Sequence, residues 1–69
     1  MSYLKEQIEK ALYAASEFDS DAGFNIVNEL LVYDFGEKNN VLLKDAAQAF
    51  NNFNYEGSAS LLNKVKANL

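Results

Sequence analysis

Cysteine, histidine, proline, tryptophan and arginine are all missing from this 69-residue chain. Without cysteine or histidine it has neither a disulfide nor the usual thiolate and imidazole ligands, so no metal or cofactor is expected and stability must come from packing or from a partner. A chain without cysteine fits a reducing compartment, and a cytoplasmic location is expected. No run reaches the roughly 18 to 20 apolar residues of a membrane-spanning helix, and no basic, apolar leader follows Met1, so no membrane association is expected. All six cations are lysines, so no guanidinium fork is present for phosphate, and the net charge of −4 repels a polyanion. Nucleic acid is therefore an unexpected partner.

What is present is hydrophobic content, 49% of all residues, in a length that supports one small domain. Charge is uneven along it. The first half, to Phe35, sets Lys5 and Lys10 against seven carboxylates, whereas the second sets four lysines against Glu37, Asp45 and Glu56.

Apolar residues at Leu4, Ile8, Ala11, Leu12, Ala15 and Phe18 recur at three- and four-residue steps, predicting a helix from about Tyr3 to Glu17 behind a Ser2 cap. Asp19, Ser20 and Asp21 offer oxygens and negative charge to the start of a second helix, about Ser20 to Asp34. The stretch from Phe35 to Asn40 reads as the one real loop, with Gly36 in the left-handed conformation that ends a helix and Asn40 capping the next. A third helix is expected from Val41 to about Asn52. Asn54 caps a fourth, about Tyr55 to Ala67, with Leu61, Leu62, Val65 and Leu69 on its apolar side. No segment alternates as a strand does. The expected class is all-α, a single domain forming an antiparallel four-helix bundle of two hairpins, about 2–35 and 40–69.

The hairpins repeat. Shifted by 35 positions, Ile8 meets Leu43, Ala11 meets Ala46, Ala14 meets Ala49, Phe18 meets Phe53 and Asn28 meets Asn63. The turn elements coincide too: Phe18, Asp19 and Asp21 against Phe53, Asn54 and Glu56. In this reading each phenylalanine closes the end of the core while the next residue caps the following helix.

The runs F-D-S-D-A with I-V-N-E-L-L, and F-N-Y-E-G with S-L-L-N-K-V, resemble the phenylalanine-aspartate-aromatic-acid-alanine hairpins of helical tails attached to receiver and histidine-kinase modules of bacterial two-component proteins. The likeness covers nearly the whole chain through short motifs, with Ser20 where an aromatic is usual and Gly57 where alanine is usual. It implies a bundle similar to histidine-phosphotransfer domains. Such transfer uses an exposed imidazole as nucleophile, and this chain has none. A second likeness, to tetratricopeptide repeats, implies a peptide-binding scaffold, but the closing proline is missing and two repeats are fewer than a solenoid needs.

Asp19-Ser20-Asp21 does not extend to a calcium loop, since Phe24 and Leu30 fall where glycine and a bidentate glutamate belong. The acid pairs Glu6/Glu9 and Asp19/Asp21 read as solvated helix surface, so no catalytic residue is expected. Nine aromatic rings exceed what so small a core encloses. Tyr13, Phe24, Tyr33 and Phe35 are the candidates for an exposed contact surface. The expected function is a non-catalytic interaction or regulatory module, docking on an adjacent receiver or kinase domain or on a second copy, with the acidic first half selecting a basic partner.

Overall fold

The computed structural model describes residues 3–69 and confirms the all-α class with four helices: α1 (Tyr3–Ser16), α2 (Ser20–Leu30), α3 (Glu37–Asn51) and α4 (Tyr55–Ala67). The expected Ser2 cap lies outside the described residues. The helical period places Leu4, Ile8, Ala11 and Ala15 of α1 in one core with Val27 and Leu30 of α2, Leu43, Ala46, Ala47 and Phe50 of α3, and Leu62 and Val65 of α4. Alanines at so many of these positions let short helices approach closely. Gly23 goes further: a methyl group there would collide with the ring of the fully buried Phe50. The buried Ser58 satisfies its hydroxyl locally by donating to the Tyr55 carbonyl at 2.9 Å.

Each helix packs on its neighbours in sequence, and α4 returns onto α1, closing a ring. Antiparallel order is visible in the cross-helix pairs. Tyr3 meets Tyr33 at one end of α1, Phe18 meets Tyr55 at the other, and Lys66 of α4 pairs with Glu9 of α1. The ring differs from stacked helix pairs, which leave their first and last helices apart.

The two hairpin turns are built alike. The Asp19 N–H donates to the Ala14 carbonyl at 2.9 Å, and the Asn54 N–H to the Ala49 carbonyl at 2.7 Å, the long bond of a Schellman turn. Asp19 then caps α2 by accepting from the Ala22 N–H at 3.1 Å, and Asn54 caps α4 by accepting from the Gly57 N–H at 2.9 Å. One residue thus ends one helix and starts the next. Between them Phe18 and Phe53 hold φ of 55° and 59°.

That geometry corrects the expected role of these phenylalanines. They are 72% and 68% exposed and close no core, because a residue in the left-handed turn projects away from the helices that it joins. Leu69 is likewise exposed, at 55%.

The central connection also differs from expectation. Helix α2 stops at Leu30, four residues early, and leaves through i−3 bonds from Leu31, Val32 and Tyr33. It has no cation in its last turn, and Glu29 and Asp34 are repelled by the negative end of its dipole. The Asp34 carboxylate instead accepts the Gly36 N–H and the Asn40 amide, each at 3.0 Å, while Asn40 accepts the Phe35 N–H at 3.1 Å. Helix α3 therefore begins at Glu37 and not Val41, and Asn40 clasps the loop from inside the first turn. Gly36, with φ 96° and ψ 146°, precedes α3 and does not terminate α2 in the left-handed helical region.

Candidate interaction surface

The four aromatic candidates fall in three places. Tyr13 stands 68% exposed on the outer side of α1. Four-residue spacing aligns it with Glu9 and Glu17, and together they flank a groove of about 580 Å³ between α1 and α2. Ala14, Ala22 and Ile26 also line the groove. Tyr33 and Phe35 lie at the opposite end of the bundle, ten residues of α1 away, or about 15 Å.

There the loop after α2 and the start of α1 form a ladder of rings. Tyr3 meets Tyr33 edge-on at 5.9 Å between centroids, and Tyr33 meets Phe35 at 5.8 Å. Such pairs contribute about 0.5–1.5 kcal/mol beyond their buried area. The Tyr3 phenol is held above its ordinary pKa, first by lost solvation and then by the Tyr33 phenol and Glu29 carboxylate. Val32, 79% exposed, adds an aliphatic side chain beside this ladder.

Phe24 is half-buried against the core and faces the other side of α2. It borders a small cleft with Ser20, Phe50 and Phe53. At the matching place in the first turn, Phe18 packs edge-on against Tyr55, centroids 5.3 Å apart. Position 20 has serine where position 55 has tyrosine, so Phe53 has no such partner and the cleft is left open.

The turn residues have structural duties. Asp19 and Asn54 cap helices, and Asp21 and Glu56 place negative charge in the first turns of α2 and α4, where the dipole favours it. Among the described residues, no group of three or more histidines, cysteines, aspartates or glutamates is placed to hold a metal ion. Among the same residues, no helix is long and apolar enough to cross a membrane.

A second groove, about 720 Å³, runs between the start of α3 and the end of α4, with Val41, Leu42 and Ala67 among its lining and Lys38 and Lys64 beside them. Tyr3, Val32 and Val41 carry no mark in the sequence that sets them apart as surface residues. The exposure of Val32 follows from the early end of α2, which no periodicity announced. The four-residue alignment of Glu9, Tyr13 and Glu17 was the readable signal for the α1–α2 groove. No family model, curated protein or solved structure matches the chain.

Proposed function

We propose that this chain is a non-catalytic protein-interaction module, an accessory helical domain of a two-component signalling protein acting in a reducing cytoplasm. One observation carries the reading. The core closes with alanines, aliphatic residues and Phe50, while Tyr13, Tyr33, Val32 and Val41 remain more than half exposed outside it. Large apolar groups that no core requires lower solubility, and they are the side chains that bury well against a partner. The two-component placement rests on the resemblance of the two hairpin turns. Lacking histidine, the module would bind within such a system without accepting a phosphoryl group.

The test is a titration of the isotopically labelled chain with the receiver or kinase domain encoded beside it. Saturable amide shifts at Tyr13 or along the Tyr3–Tyr33–Phe35 ladder are expected. No shift with any neighbouring receiver or kinase domain removes the two-component assignment. Sedimentation over a concentration series separates a second copy of the chain from a different protein as the partner.

A further inference from the structure

The duplication supplies an internal control for deciding which surface residues the fold requires. Both turns have the same backbone, with φ and ψ of −102° and 86° at Asp19 and −93° and 79° at Asn54. The outer faces beside them differ. Where the first hairpin has Glu9, Tyr13, Glu17 and Asp19, the second has Lys44, Gln48, Asn52 and Asn54. Asn54 caps α4 as Asp19 caps α2, so the cap itself needs no charge. Gln48 and Asn52 are exposed on α3 and its C-terminal turn without a ring or a carboxylate. The second hairpin thus forms the same turn without the aromatic and acidic side chains of the first.

We infer that the groove between α1 and α2 is a docking site for a basic amphipathic helix of a partner protein. Three carboxylates, on Glu9, Glu17 and Asp19, border the groove against the single Lys10. Lys66 pairs with Glu9 from the α4 side, which leaves Glu17 and Asp19 without an ion pair among the described residues. The methyl groups of Ala14 and Ala22 keep the floor low, and Ile26 makes it apolar. From Glu9 to Glu17 the groove runs about 12 Å, or roughly two turns of an approaching helix. Tyr13 supplies a large ring at low entropic cost, the type of residue on which binding energy concentrates. The α3–α4 groove sets Lys38 and Lys64 against the single Glu37, a net positive lining that has the wrong sign for the same ligand.

This inference rests on the interaction reading, and its test separates the two. The probe is a 14-residue helical peptide of leucine and lysine patterned on one apolar face, with a leucine–glutamate peptide of the same pattern as control. The whole chain is expected to bind the lysine peptide one to one, more weakly as salt rises, with amide shifts confined to α1 and α2. Tyr13→Gln with Glu17→Asn introduces the second hairpin's own residues and should weaken binding about tenfold or more without loss of helix content. Glu17→Lys alone, on an exposed position beyond the end of α1, should do the same. Unchanged binding in a folded variant, equal binding of the glutamate peptide, or shifts centred on α3–α4 would overturn the inference. So would a change of sedimentation in the double variant, since the occupant would then be a second copy. If the peptide fails while a neighbouring signalling domain binds elsewhere on the chain, the groove assignment falls and the module reading stands.

Discussion

At the scale of single residues, the two turn phenylalanines are the least economical choices in the chain. A side chain beyond glycine in the left-handed region costs about 1–2 kcal/mol, and glycine is the usual occupant of this position in a Schellman turn. Phe18 recovers part of the cost on the ring of Tyr55, whereas no ring contact among the described residues engages Phe53. The two sites should therefore respond differently to glycine. Phe53→Gly is expected to raise the unfolding free energy by about 0.5–1 kcal/mol, after allowing for the greater freedom of glycine in the unfolded chain. Phe18→Gly should be neutral or destabilising, because it also gives up an aromatic pair worth about 0.5–1.5 kcal/mol. Urea denaturation of both variants checks this, and equal effects at the two sites would contradict it.

At the scale of elements, the loop between α2 and α3 is held by side chains in place of a continued helix. Its centre is Asp34, whose pKa lies below the ordinary carboxylate range because the carboxylate accepts first the Gly36 N–H and then the Asn40 amide. Since the folded-state pKa is the lower one, the contribution is fully present above the ordinary value, near pH 4, and is lost as pH falls through the depressed value. Acid should accordingly release the Gly36 and Asn40 amide resonances toward random-coil shifts before the helices melt. Asp34→Asn should remove that early transition. A pH series of amide spectra reads both, and an unchanged transition in the variant would show that another group controls the loop. The clasp also positions Tyr33 and Phe35 for the ring ladder, so its loss is expected to loosen that end of the bundle.

At the scale of the whole molecule, no helix among the described residues exceeds 15 residues, a length at which an isolated helix is marginal in water. Helical stability must come from the shared core, and each hairpin covers the apolar side of the other. The Gly23 contact on Phe50 joins α2 to α3, and Lys66 with Glu9 joins α4 to α1, so both seams cross between hairpins. The latter pair is exposed and contributes little to stability. Dividing the chain at Gly36 should yield two fragments with little helix when separate, and mixing them should restore helical circular dichroism in a concentration-dependent way. A cooperative melt of the first hairpin alone would contradict the shared-core account.

Sequence by itself determined the class, the number of helices, the two hairpin turns and the repeat, because these depend on local chemistry. A 3.6-residue apolar period, an aspartate or asparagine cap and the dipole act within a turn or two of chain. The same locality made Asp19 and Asn54 readable as caps and Tyr13 readable as a surface ring. Tertiary structure completed what the missing cation in the last turn of α2 began, since Asp34 and Asn40 meet only once the chain has bent back. It decided that Phe18 and Phe53 project outward, because a sequence period cannot register a change of sign in φ. And it decided that the four aromatic candidates occupy three separate places, because only the closure of α4 onto α1 determines which sides of each helix are buried and which grooves stay open.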